Sequence, residues 1–74
     1  MATVIIRKPE ISVTDKDIEL VQLLVNGAKR PEIGLQLGIS VRTVEDRLDK
    51  LRAKTGCNSI PYLIGEFFRN NLIE

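Results

Sequence analysis

The chain has 74 residues, which is enough for one small domain built on one hydrophobic core. Hydrophobic residues make up 43% and charged residues 28%, a balance that excludes a disordered or collagen-like chain. Eleven Lys and Arg against ten Asp and Glu give a net charge of +1, well short of the strongly basic composition that marks a nucleic-acid binder. Any electrostatic binding site must therefore depend on where the charges lie.

The sequence contains few of the residue types that commonly carry catalysis, since it has no histidine and one cysteine, Cys57. A histidine-based triad, an internal disulfide and a zinc site of the usual Cys/His type are excluded. We expect no catalytic residue, no cofactor and no metal, and we interpret Cys57 as a packing residue in a reducing cytoplasm. The longest uninterrupted apolar runs have three residues, too short to span a bilayer, so no membrane association is expected.

The first 13 residues differ in pattern from the rest of the chain. A β-branched run at residues 4–6 is followed by Pro9, which disfavours a helix. We predict a tail or the end of an interdomain linker over residues 1–13, and a domain over residues 14–74.

Four amphipathic segments with recognisable ends follow. Thr14 and Asp17 have the spacing of a capping box, Ser40 and Ser59 are suited to cap helices, and a glycine follows each of the first three segments. Apolar residues recur at helical spacing within them. The predicted helices cover residues 15–26, 30–37, 41–55 and 60–70. The predicted fold class is all-α, a four-helix bundle.

The second and third predicted helices are separated by only three residues, Gly38-Ile39-Ser40. This spacing, with a glycine at the break, is typical of a helix-turn-helix. The first helix would cover the apolar faces of the second and third helices. The far side of the third helix would then be free to enter a DNA major groove, although glycine turns also join helices in bundles that never touch DNA.

Several short motifs around this turn carry a family resemblance. They are Thr14-Asp15-Lys16-Asp17, Leu23-Leu24-Val25-Asn26-Gly27, Glu32-Ile33, Leu37-Gly38-Ile39-Ser40, Thr43-Val44 and Lys54-Thr55-Gly56. Together they resemble the DNA-binding domain of the LuxR/GerE family of bacterial transcription regulators, over about residues 11–73. The part around the turn is also similar to the promoter-binding fourth region of sigma factors. The segment Gly56-Cys57-Asn58-Ser59, followed by a fourth amphipathic helix, favours LuxR/GerE.

The resemblance implies a cytoplasmic, sequence-specific DNA-binding domain whose third helix lies in the major groove of double-stranded DNA. It also implies an output domain of the response-regulator type, attached behind a receiver or ligand-sensing domain, and a homodimer formed through the fourth helix. The candidate dimer residues are Leu63, Ile64, Phe67 and Phe68. Their apolar side chains span more of the helix circumference than one small core needs, which favours some exposed apolar surface for a partner. The alternative is that both phenylalanines belong to the core.

Charged residues on and near the third helix, together with Thr43, form the predicted DNA-binding set. It comprises Lys29, Arg30, Arg42, Thr43, Glu45, Asp46, Arg47, Asp49, Lys50 and Lys54, with Arg52 as a further phosphate-contact candidate. The basic members are expected to neutralise phosphates. The alternative is an ordinary solvated face with helical ion pairs, Arg42 with Asp46 and Asp46 with Lys50.

Three carboxylates depart from the family pattern. The groove-facing positions of Glu45, Asp46 and Asp49 are often basic or polar in the family, and the position of Arg47 is often a histidine. Carboxylates are repelled by phosphates, and their direct base partner is chiefly the cytosine amino group. Either the domain binds cytosine-containing sites with low background affinity, or the fold is retained while DNA binding is weak or lost. A protein-interaction module on the same fold is therefore the alternative function.

Overall fold

The computed structural model describes the backbone of residues 3–6 and 11–74, with side chains from Val13 onward. Its four helices are α1 (Asp15–Val25), α2 (Arg30–Leu37), α3 (Val41–Thr55) and α4 (Ile60–Arg69). The prediction of an all-α domain with four helices is confirmed, and α1 and α4 each end one residue earlier than expected.

Two short strands precede the helices. β1 (Thr3–Ile6) pairs antiparallel with β2 (Ile11–Thr14), with Thr3 opposite Thr14 and Ile6 opposite Ile11. The prediction of a tail did not anticipate this pairing, although β-branched residues favour strands; Pro9 lies outside the described residues. Val13 on β2 is completely buried, so the core includes a residue before the predicted domain boundary. The division of the chain at residue 14 stays a prediction.

Side-chain caps fix where three of the helices begin. The Thr14 hydroxyl accepts a hydrogen bond from the Asp17 backbone N–H, and the Asp17 carboxylate accepts one from the Thr14 N–H, at 3.2 and 3.1 Å. The Ser40 hydroxyl accepts from the Thr43 N–H at 3.1 Å, and the Ser59 hydroxyl accepts from the Tyr62 N–H at 3.3 Å. The predicted caps of α1, α3 and α4 are all formed, and each satisfies a backbone donor that the helix leaves unpaired.

The turn between α2 and α3 depends on two glycines. Gly38 ends α2 at a φ of +71°, in the left-handed region that L side chains rarely adopt. Gly34 lies buried inside α2, where its carbonyl accepts a hydrogen bond from the Ile39 N–H at 2.9 Å. A Cβ on Gly34 would meet the Ile39 carbonyl oxygen at 2.6 Å. Only glycine therefore allows the turn to pass this close to α2.

All four helices contribute to one core. The buried apolar residues are Val13, Leu20, Val21, Ile33, Val44, Leu48, Leu51, Cys57, Leu63, Phe67 and Ile73. Cys57 packs in this core, as predicted. At the carboxyl end, the Gln22 side-chain amide exchanges two hydrogen bonds with the Glu74 backbone, each 3.0 Å long, which holds the last residues against α1. None of the helices in the described part of the chain has the length and apolarity that crossing a membrane requires.

Candidate nucleic-acid interface

α3 presents one apolar and one charged side. Val44, Leu48 and Leu51 are buried at intervals of four and three residues, which directs one side of the helix into the core. On the opposite side, Arg42 and Asp46 are exposed. α3 therefore has the orientation that a recognition helix needs, with its polar side exposed along its length.

A basic cleft lies between the start of α1 and one flank of α3. Its cationic lining residues, which define the basic cleft, are Lys16, Arg47, Lys50 and Lys54. The Lys54 ammonium lies 3.4 Å from the Asp17 carboxylate, which also caps α1. Within the described residues, none of the other three cations forms an ion pair. Positive charges that converge on a concave surface concentrate the attraction for a phosphate.

The other flank of α3 carries Glu45 and Asp49, which we name the acidic flank. These two residues line a shallow cleft with Arg30 and Arg52. The Arg52 guanidinium lies 2.8 Å from the Asp49 carboxylate and donates a second hydrogen bond to the Asn58 carbonyl at 3.1 Å. Arg52 therefore joins α3 to the loop before α4, and its role as a phosphate contact stays an untested prediction beside this structural role.

The two helical ion pairs expected for an ordinary solvated face are not formed. No ion pair in the described part of the chain links Asp46 to Arg42 or to Lys50, and Glu45 likewise has no cationic partner there. Both carboxylates are exposed. Of the three acidic residues predicted to face DNA, Asp49 is thus the one already paired within the domain.

The start of α2 and the start of α3 hold three further predicted residues. Lys29 is exposed, and its backbone N–H donates to the Glu32 carboxylate at 2.7 Å, so an internal anion already occupies part of this helix end. Arg30 is half-buried toward the acidic flank. The Thr43 hydroxyl is 2.9 Å from the Ser40 hydroxyl, at the first turn of α3.

Two of the four predicted dimer residues on α4 belong to the core, so that part of the prediction is corrected. Leu63 and Phe67 are fully buried in the core of the single chain, where a second copy cannot reach them. Ile64 is half-buried, and Phe68 is 44% exposed. The accessible residues on this side, which define the α4 face, are Pro61, Ile64, Gly65 and Phe68. A Cβ on Gly65 would come within 4.0 Å of the Arg69 guanidinium alone, so the face is open at its centre.

Sequence reasoning missed Lys16, which contributes to the basic cleft from α1. Its place opposite α3 depends on how the two helices pack, and no local pattern carries that information. Gly34 was also missed, although a signal was present. Glycine inside a helix costs about 1 kcal/mol relative to alanine, so its presence there indicates a packing requirement.

Comparison with known proteins gives two relatives. No protein-family model matches the sequence. The chain is 34% identical over 53 residues, 72% of its length, to the transcriptional regulatory protein YdfI of Bacillus subtilis (strain 168), of which it spans 25%. It is also similar to the solved structure of transcription factor GerE, with a TM-score of 0.80 and 29% identity, over 84% of this chain and 92% of that one. The structural likeness thus covers nearly all of GerE, whereas the chain spans about a quarter of YdfI.

Proposed function

Because this chain carries a helix-turn-helix DNA-binding domain of the LuxR/GerE type, we propose that it binds duplex DNA with α3 in the major groove and regulates bacterial transcription. The fold and the relatives support this proposal. The observation that carries it is the basic cleft, where Lys16, Arg47 and Lys50 have no anionic partner among the described residues. Since the relatives are transcription regulators, we infer a binding role in the cytoplasm and no catalysis.

Cations on both sides of α3 would position the domain on DNA. Lys16, Arg47 and Lys50 would hold phosphates of one strand, and Arg42, with Lys29 and Arg30 at the start of α2, those of the other. Lys54 would contribute less, because Asp17 already neutralises part of its charge. Such contacts set the register of the protein on the duplex and carry no sequence information themselves. Sequence would be read by the groove-facing residues, Thr43 and the carboxylates of α3.

The α4 face would join two copies of the domain. Ile64 and Phe68 are its large apolar members, and Gly65 between them permits close approach. A symmetric pair would place two α3 helices on half-sites about one helical turn apart. A receiver or sensor domain that controls this assembly belongs to the same proposal, since the relative YdfI is a longer regulatory protein.

A protein-interaction module is the second candidate function. It is favoured by Glu45 and Asp46, two exposed carboxylates without cationic partners among the described residues, because they would repel phosphates. A basic partner protein would find these charges accessible on α3.

Selection of bound duplexes from a random DNA pool, at about 50 mM salt where phosphate attraction is strong, separates the two candidates. We expect the domain to retain DNA and to enrich a site with two related halves. A double variant, Glu45→Gln with Asp46→Asn, should retain more DNA, whereas Glu74→Gln, which removes a charge outside α3, should behave as wild type. If neither the wild type nor the double variant retains DNA, the interaction module replaces DNA binding as the function.

A further inference from the structure

The uneven pairing of the three carboxylates on α3 points to a base preference. We propose that Glu45 and Asp46 recognise cytosine through its major-groove amino group, whereas Asp49 takes no part. This inference rests on the proposed function, because only a helix in the groove brings these side chains to the edges of the bases.

Asp49 differs from the other two carboxylates because it is already paired within the domain. Its carboxylate is bound by the Arg52 guanidinium at 2.8 Å, and Arg52 is itself anchored by the Asn58 carbonyl at 3.1 Å. Turning Asp49 toward a base would break a charge-assisted hydrogen bond and leave the arginine without its anion. A carboxylate that already has a fixed cationic partner also gains less from an amino group.

Glu45 and Asp46 are exposed like Asp49 but differ from it in pairing. Neither forms an ion pair or a hydrogen bond through its side chain with another described residue. Arg42 and Lys50, four residues to either side of Asp46, do not pair with it. The two carboxylates therefore keep their full capacity to accept hydrogen bonds when α3 approaches DNA.

The chemistry of the base edges then selects cytosine. An ionised carboxylate only accepts hydrogen bonds, and guanine and thymine present acceptors on the major-groove side. Adenine has an amino group, but its N7 acceptor lies beside it and repels a carboxylate. Cytosine offers an amino donor with a C–H group as its neighbour. Repulsion by phosphates lowers affinity for every sequence alike, and only a site with correctly placed cytosine offsets it.

Two positions in each half-site are expected to show this preference. Consecutive residues of a helix project about 100° apart, so Glu45 and Asp46 cannot both reach the same amino group. A selected site should therefore contain two cytosines per half-site.

The test combines single protein variants with single base changes. Each cytosine of a selected site is replaced by pyrimidin-2-one, which is cytosine without its amino group. For the wild type, each critical replacement should weaken binding by about five- to 150-fold, the range for one specific base contact. Glu45→Gln and Asp46→Asn should each become insensitive to one replacement and prefer adenine there, because amides bind adenine through N6 and N7. Asp49→Asn is the matched control and should keep both preferences.

Different results would overturn the inference and the function it rests on. If the wild type binds DNA but tolerates every replacement, or if Asp49→Asn alone removes a cytosine preference, the inference is wrong and DNA binding stands. If neither the wild type nor any variant binds DNA at about 50 mM salt, both the inference and the proposed function are wrong. The replaced bases test the wild-type protein directly, so the result does not depend on the folding of a variant.

Discussion

α3 and α4 bury one side each in the same core, yet their exposed sides differ in chemistry. The exposed side of α3 is charged, with the basic cleft on one flank and the acidic flank on the other. Part of the exposed surface of α4, the α4 face, is apolar, and Phe68 is 44% exposed there. Under the proposed function, the charged side of α3 would bind a charged polymer and the α4 face would bind an apolar surface.

The exposed side of α3 and the α4 face are also determined by different features of the fold. The rotation of α4 about its axis determines which of its apolar residues remain exposed. On α3, ion pairing decides which charges remain accessible to a partner, because Asp49 and Lys54 are paired within the domain whereas Lys50 and Asp46 form no ion pair with a described residue.

Leu48→Ala should have the largest effect, because Leu48 is 2% exposed and fixes which side of α3 enters the core. Truncation of a buried leucine to alanine lowers the free energy of unfolding by about 2 to 5 kcal/mol. Leu35→Ala is the matched control, since Leu35 is 84% exposed and should change stability by less than about 0.5 kcal/mol. Urea unfolding measures both. Equal midpoints would show that α3 is rotated differently.

Gly34→Ala should come next, because the added Cβ would lie 2.6 Å from the Ile39 carbonyl oxygen. The turn that sets α3 against α2 would have to shift, at a cost of about 1 to 3 kcal/mol. Gly65→Ala is the control, also inside a helix but in open space within the single chain; measured on the monomer, at low protein concentration, it should gain about 0.5 to 1 kcal/mol from better helix propensity. Thermal unfolding followed by circular dichroism should move in opposite directions for the two variants; the same direction would refute the close approach at Gly34.

Phe68→Glu tests the α4 face. A charge in an apolar contact between two copies should shift sedimentation toward the monomer while the helical spectrum stays unchanged. Leu35→Glu places the same charge on a more exposed apolar residue of α2 and should leave the oligomeric state as in wild type. A wild type that remains monomeric at high concentration, or a shift caused equally by Leu35→Glu, would remove α4 as the dimer contact.

Arg52→Gln and Lys50→Gln should separate the paired from the unpaired charges of α3. Arg52→Gln loses the contacts with Asp49 and Asn58, which are partly exposed, so the free energy of unfolding should fall by about 0.5 to 1 kcal/mol. Lys50→Gln removes a charge without an ion pair in the described residues, so chemical unfolding should be unchanged. A larger loss for Lys50→Gln would show that it has a structural partner.

Most of the fold could be predicted from the sequence because its signals are local. The capping hydroxyls of Ser40 and Ser59, the Thr14 capping box and the glycine at position 38 fix helix ends through neighbours three or four residues away. The strand pairing was missed, since its register joins residues from opposite ends of the hairpin, and Pro9 between the strands was interpreted only as disfavouring a helix.

The candidate site was less predictable, because its details depend on tertiary packing. Phe67 and Phe68 are equally apolar neighbours, and only the rotation of α4 against α1 makes one core and the other surface. Helical spacing allowed Asp49 to pair with Arg52, but the anchor on Asn58 that fixes this pair comes from the following loop. Lys16 reaches the basic cleft only because α1 lies beside α3.

The central claim is that cations around α3 without an ion pair among the described residues bind DNA phosphates. The salt dependence of binding tests this claim most directly. Affinity for a random duplex would be measured between about 50 and 200 mM salt for the wild type, Lys50→Gln and Arg52→Gln. We predict that the logarithm of affinity falls linearly with the logarithm of salt concentration. The slope should be smaller by about one unit in Lys50→Gln and unchanged in Arg52→Gln. Absence of binding at the lowest salt, or the same slope for the wild type and Lys50→Gln, would contradict the account.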